Sequence, residues 1–254
     1  MNAALLLVDL QNDFLRTPGL DPPAEGVEAR AVVLLEGCRR HRIPVLHVRT
    51  TVRDLDHAMP HWARRKLRMC LEGTEGHAFP LALRPAGGER TFDKTFFSAF
   101  ANPALEEALR AARVDTVLLA GVHLHGCVRA TALDAYQRGF AVLVAEDAVA
   151  SHEPLHAAST RRWLDGRAAR FLPVEELLNL VSGEAAAQSR PEPAEETRRA
   201  REAWPAWRAM AASERAAVLV RFAALVEADA AALASRMARE TGKPVRYGLP
   251  EVAR

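Results

Sequence analysis

The sequence predicts an α/β fold: a three-layer α/β/α domain on a doubly wound six-stranded parallel sheet, followed by a C-terminal helical tail. Two observations carry that prediction. Short apolar runs that read as buried strands, beginning with Ala4-Leu5-Leu6-Leu7-Val8, alternate with stretches of helical periodicity. Connections long enough to hold a helix separate successive runs, so the strands are expected to be parallel. A third observation is bulk: 254 residues, 49% of them apolar, suffice for one or two domains with a large core.

Each element has its own signal. Ala3 to Val8 is a strand, and Pro18, Gly19, Pro22 and Pro23 break the chain after it. Ala24 to His41 is helical, with Val27, Ala31, Leu34, Leu35 and Cys38 along one side. Pro44 to Arg49 is the second strand. Residues 51–90 lack clear periodicity and are expected to form a lid and substrate-selecting loop, with a helical turn around Trp62 to Cys70. Glu89 to Phe92 is a short strand delivering Lys94. Asn102 to Arg113 is a helix, with Asn102 as its N-cap and Pro103 in its first turn. Asp115 to Ala120 is the central strand, and the next helix is placed over Ala132 to Gly139. Phe140 to Val144 is a strand ended by Glu146-Asp147. Pro154 to Leu164 is a helix, Ala169 to Leu172 a last strand, and Pro173 to Val181 a closing helix.

Composition shifts at Gly183. Three segments are expected: a domain over residues 1–183, an Ala-, Glu- and Pro-rich linker over 184–196, and a helical segment over 197–254. Thr197 to Met210, Ser213 to Ala228 and Asp229 to Glu240 read as amphipathic helices. Ser213 and Asp229 are the expected N-caps and Gly242 a C-cap.

Cys127 stands where a parallel strand hands over to a helix. That is the carboxyl edge of the sheet, where open α/β folds place ligands and where a helix N-terminus favours a thiolate. Asp9 ends the first apolar run, and Lys94 comes just after the third strand. Taken alone, Cys127 reads as a small buried apolar residue, Asp9 as a turn residue and Lys94 as a surface charge. Their motifs change that. Asp-Leu-Gln-Asn-Asp-Phe at 9–14, Lys-x-x-x-Ser-Ala-Phe at 94–100 and Gly-Val-x-x-x-Gly-Cys-Val at 121–128 resemble the isochorismatase-like cysteine hydrolases. The likeness spans residues 1–183, and Gly126 to Ala135 is most similar to the N-carbamoylsarcosine-amidase-like and maleamate-amidase-like branch.

The resemblance implies a hydrolase of a C–N bond in a small amide or N-carbamoyl substrate, acting through a thioester with Asp9, Lys94 and Cys127. It also implies a cis peptide at Val122–His123, oxyanion-binding N–H groups at His123 and Cys127, and a homo-oligomer. His123 and His125 depart from the branch, which favours small or hydroxyl residues there. Phe14, Trp62, Phe96 and Phe97 are candidate substrate walls. Arg129, or Arg49 at a strand end, could meet a substrate carboxylate. His57 and His61, with Asp54 and Asp56, lie near the metal-binding segment of nicotinamidases, but their spacing from the strand differs. No metal and no cofactor are expected. A non-catalytic binding or regulatory protein and an isochorismatase-type vinyl-ether hydrolase are the alternatives.

The tail resembles an early helical segment of aldehyde dehydrogenases, through Ala203-Trp204-Pro205-Ala206-Trp207, Arg221 to Glu227 and Arg239 to Pro244. It lacks that family's dinucleotide-binding region and nucleophile. It is expected to be a truncated fusion, a docking element or a remnant rather than a dehydrogenase. A formal charge of +2 with interspersed signs gives no reason to propose nucleic acid or a membrane surface as partner. The first residues carry no charged leader, and Cys38, Cys70 and Cys127 show no pairing pattern, so a reducing, cytoplasmic setting is expected.

Overall fold

The computed structural model describes residues 1–182 and 195–234. They fall into two compact units, divided between positions 188 and 189. Residues 184–194 of the expected linker, the tail beyond 234, the Gly242 cap and the Arg239 to Pro244 motif lie outside the described residues.

The first unit is a six-stranded sheet of order β3-β2-β1-β4-β5-β6. Its strands are β1 (Ala3–Val8), β2 (Val45–Thr50), β3 (Arg90–Lys94), β4 (Thr116–Val122), β5 (Ala141–Ala150) and β6 (Arg170–Leu172), and every pairing is parallel. Successive β1 side chains enter opposite cores. Leu5 and Leu7 meet Val27, Leu34 and Leu35 of helix α2 (Ala24–Arg40), together with Leu177 of α7 (Val174–Ser182). Leu6 and Val8 join the other cluster, with Leu105 of α4 (Pro103–Ala111), Ala132 of α5 (Arg129–Gln137) and Leu164 of α6 (Pro154–Leu164). Burial on both faces explains why β1 reads as a continuous apolar run rather than an alternating one.

The order reverses between β1 and β4, which opens a crevice at their carboxyl ends. Gly121 lets the two strands close there. Its φ is +142°, and a Cβ would stand 2.0 Å from the Val8 carbonyl oxygen.

Four elements differ from the sequence expectation. β5 runs on to Ala150 instead of ending at Glu146-Asp147. The register jumps from Leu119↔Val144 to Gly121↔Val149, so the charged pair sits in a bulge. There Asp147 meets Arg30 Nε at 2.7 Å, and Glu146 pairs with Arg161. Lys94 lies within β3, whose start and end are later than Glu89 and Phe92. The loop helix α3 is Pro60–Arg65, not Trp62 to Cys70, because Pro60 starts it and Lys66 ends it in the left-handed region at φ +53°. α5 begins at Arg129 and is preceded by a π turn over Leu124–Val128, so Cys127 sits inside the first turns rather than ahead of them.

The loop over 51–90 is pinned by the motif next to β1. Gln11 Nε2 donates to the Thr50 carbonyl at 2.9 Å and to the His77 carbonyl at 2.8 Å. Asn12 Nδ2 donates to the Glu75 carbonyl, and Asp13 accepts the Cys70 N–H at 2.6 Å. These three polar side chains belong to, or directly precede, the short helix α1 (Asn12–Leu15).

The second unit holds α8 (Glu195–Ala209), which contains Pro205, and α9 (Ala212–Ala228). Ala211, not Ser213, is the N-cap of α9, and Glu214 Oε2 accepts the Ala211 N–H at 3.0 Å. Asp229 is the C-cap of the same helix. No described helix is long and apolar enough to cross a membrane.

Candidate active site

Three strand ends deliver the central groups. Asp9 comes directly after β1, Lys94 closes β3, and Thr50 closes β2 between them. Asp9 turns off its strand in the left-handed region, at φ +54°, a strained backbone for an aspartate. Its carboxylate is fully buried. Lys94 Nζ donates to Asp9 Oδ2 at 2.7 Å, to Thr50 Oγ1 at 2.8 Å and to Cys127 Sγ at 3.5 Å. The Thr50 hydroxyl donates its own proton to Asp9 Oδ1 at 3.0 Å. All three ammonium protons therefore have acceptors, as a buried lysine requires.

The electrostatics of the group are decisive for its chemistry. Burial alone would discharge Lys94, but the Asp9 carboxylate and the Cys127 sulfur outweigh it and hold the ammonium above its usual range. Burial, followed by the Asp9 charge, pushes the Cys127 thiol up, against the pull of Lys94. At rest Lys94 is charged and the Cys127 thiol is neutral. Cys127 and Asp9 are joined through Lys94, whose ammonium touches both. Cys38 and Cys70 are buried and free as well. Burial raises the Cys38 thiol to about 12 and, with the Asp9 and Asp13 charges, raises the Cys70 thiol.

Cys127 opens onto a cavity of about 540 Å³. Phe14, Met59, Trp62 and Met69 form its apolar side, and His123, His125 and His152 its polar side. The Phe14 ring meets Trp62 at 6.0 Å and the edge of His123 at 5.6 Å between centroids. Burial, then His152 and His125, push the His123 imidazole down to about 3, so it is neutral. The Val122–His123 peptide is cis.

The structure places Cys127, His123, Phe14, Trp62 and Arg129 around one cavity, with Lys94 and through it Asp9 joined to Cys127, and with Arg129 and Arg65 as exposed basic groups of the lining. Phe96 is elsewhere. It borders a second hollow with Arg53, His57 and Asp93, which Lys94 also lines, and its neighbour Phe97 takes the position in the Cys127 cavity, stacked on His61 at 5.8 Å. Arg49 is committed to Asp93, at 2.5 Å. His57 turns to Asp54, at 2.6 Å, while His61 faces the Cys127 cavity, so the two do not share a ligand position. Thr50, His152 and Glu153 were not visible as site residues in the sequence. A threonine ending a strand is ordinary β composition, and His152-Glu153 precede a proline-started helix with no motif around them.

Comparison with known proteins agrees with this arrangement. Residues 3–174 match the isochorismatase domain family, and residues 163–254 match the aldehyde dehydrogenase family. The chain is 36% identical over 168 residues to the maleamate amidohydrolase of Pseudomonas putida, covering 61% of this chain and 76% of that protein. An isochorismatase family protein of Desulfovibrio vulgaris superposes with a TM-score of 0.64 at 32% identity, over 71% of this chain and 98% of the other. The N-carbamoylsarcosine amidase of Thermoplasma acidophilum superposes with a TM-score of 0.59 at 30% identity, over 69% and 98%. With a matching domain over residues 3–174 and a buried aspartate, lysine and cysteine clustered at the switch point of its sheet, the chain belongs to the isochorismatase family, on the cysteine-hydrolase plan.

Proposed function

We propose that the protein hydrolyses the C–N bond of a small acid amide or N-carbamoyl acid through a thioester on Cys127. The observation that supports this most is the single ammonium of Lys94 touching both Asp9 Oδ2 and Cys127 Sγ beneath an open cavity. A neutral buried thiol needs a base at the moment of attack, and Asp9 is the only carboxylate among the described residues bonded to that ammonium.

The steps are set by these contacts. The Cys127 proton moves to Asp9 as sulfur bonds to the substrate carbonyl carbon. Lys94 stays charged and offsets the negative charge that has left Asp9 for the reacting centre. Backbone N–H groups of His123 and Cys127 bind the oxyanion. The tetrahedral adduct collapses, the C–N bond breaks, and Asp9 returns the proton to the leaving nitrogen. Water then adds to the thioester carbon and gives a proton to Asp9. The C–S bond breaks, the acid leaves, and the proton returns to sulfur.

The substrate class rests on the cavity and on the relatives. Arg65 and Arg129 line it and make no ion pair among the described residues, which suits a substrate carboxylate. The named relatives act on maleamate and on N-carbamoylsarcosine. The same kinship supports a homo-oligomer, and three free cysteines without a pairing pattern support a reducing, cytoplasmic setting. The expected linker ends before Glu195, where α8 begins.

Ammonia release from maleamate, N-carbamoylsarcosine and related acid amides tests the reading. Turnover by the wild type, abolished by Cys127→Ala with the melting temperature retained, is expected. Turnover that survives Cys127→Ala, or none with either substrate class, overturns it.

A further inference from the structure

The lining of the cavity carries a cluster that the thioester chemistry does not use. His125, His152 and Glu153 each offer a ligand atom, and these atoms all lie within 4.8 Å of one another. His123 packs its ring on His152 at 4.4 Å, and His156 reaches Glu153 Oε2 at 3.2 Å. The geometry points to a divalent transition-metal site, with zinc or cobalt(II) as its ion, formed by His125, His152 and Glu153 on the wall of the Cys127 cavity.

Several features make this a built arrangement rather than a chance meeting of polar side chains. The ligands come from two elements: His125 from the π turn after β4, and His152 and Glu153 from the segment joining β5 to α6. That segment is anchored by paired hydrogen bonds between Ser151 and Asp21. The Ser151 hydroxyl also bonds His125 Nδ1, which fixes the ring and leaves Nε2 for a metal. An outer partner on one ring nitrogen is how ligating histidines are usually oriented. Two imidazoles and one carboxylate match the borderline character of zinc, and their single negative charge offsets part of a divalent charge. A four-coordinate ion with three protein ligands keeps one position for water or a substrate oxygen.

This inference is independent of the thioester reading, because its measurement is binding. The chain, stripped with a chelator, is titrated with cobalt(II) followed by visible absorption and with zinc followed by calorimetry. Wild type should bind one ion. His152→Ala and Glu153→Gln should each weaken binding by about tenfold or more, while Cys127→Ala and His57→Ala stay within about twofold of wild type. Circular dichroism of each variant separates lost ligands from lost fold, and Glu153→Gln keeps the side-chain volume at an accessible position. Absence of binding by wild type overturns the site. So does binding that Cys127→Ala or His57→Ala removes, or that both His152→Ala and Glu153→Gln leave intact.

Discussion

Lys94 Nζ lies 2.7 Å from Asp9 Oδ2 although 85 positions separate the two residues and β2 runs between their strands. The span is possible because β2 ends in Thr50, whose short hydroxyl receives the ammonium and hands on to the carboxylate. A longer residue at that register position would fill the gap. A purely apolar one would leave an ammonium proton and a carboxylate oxygen without that partner, which costs about 1–3 kcal/mol.

Asp9 and Cys127 are opposed electrostatically at rest, and that gives a test with two readouts of opposite sign. After burial, the Asp9 charge is the largest influence keeping the thiol protonated. Asp9→Asn should therefore accelerate iodoacetamide labelling of Cys127 by roughly threefold to tenfold at mildly alkaline pH, while turnover falls by about a hundredfold or more. Peptide mapping separates Cys127 from Cys38 and Cys70. Slower labelling together with lost turnover would mean that Asp9 activates the resting thiol instead of restraining it.

Thr50→Val keeps the β-branched shape and removes both hydroxyl contacts. Stability should fall by about 1–3 kcal/mol in urea unfolding, because an ammonium proton and a carboxylate oxygen lose a buried partner. Lys94 would keep Asp9 but lose the tether that aims it at Cys127. kcat should drop by roughly tenfold to a hundredfold with little change in KM. A wild-type kcat in Thr50→Val would reduce Thr50 to ordinary strand packing.

How much of this was legible depended on whether a residue announces itself locally. Asp9 and Cys127 did, since each comes soon after an apolar run and sits in a motif of several residues. Thr50 did not, because its role exists only through the β2–β3 register that sets it beside Lys94. The length of β5 was hidden by Glu146-Asp147. Two acidic residues after an apolar run read as a strand end, and only the bulge, with Arg30 and Arg161 waiting outside, lets the strand continue to Ala150. That continuation brings His152 and Glu153 to the cavity, with Ser151 buried behind them against His125, and no local pattern signals it. Phe96 and Phe97 are adjacent aromatics with opposite fates, and nothing in the local pattern distinguishes them.

Gly121→Ala tests whether the switch-point crevice depends on the close approach of β1 and β4. A methyl group would meet the Val8 carbonyl at 2.0 Å, and φ +142° is costly for alanine whatever the space. Backbone has to move, so destabilisation of about 3 kcal/mol or more is expected, together with loss of turnover. Equilibrium unfolding measures it. A loss under about 1 kcal/mol would show that the strand pair tolerates separation at its carboxyl end.

Acid should loosen the frame behind Lys94. Glu89, just ahead of β3, accepts Arg39 Nε at 2.8 Å and Nη2 at 2.9 Å, the Ala86 N–H at 2.8 Å, and meets His47 Nε2 at 2.8 Å. Burial works against its charge, but Arg39, the Ala86 N–H and His47 outweigh it and hold the carboxyl down at about 2. Its contribution is complete above the unfolded value of 4.5 and is lost as pH falls toward about 2. Burial also lowers His47, with Glu89 opposing, so the folded state resists a proton that the unfolded chain accepts below 6.5. These shifts make stability fall with acid, His47 together with the more strongly lowered His123 first and Glu89 second. Urea midpoints should decline in two stages below about pH 6.5, with a Glu89 share of about 1–2 kcal/mol after allowing for its partial exposure. Glu89→Gln should shrink the second stage, to which Asp93, held down by Arg49 and Thr51, also contributes, and leave the first. Parallel declines of wild type and Glu89→Gln between about pH 5 and about pH 3 would place the acid-sensitive anchor elsewhere.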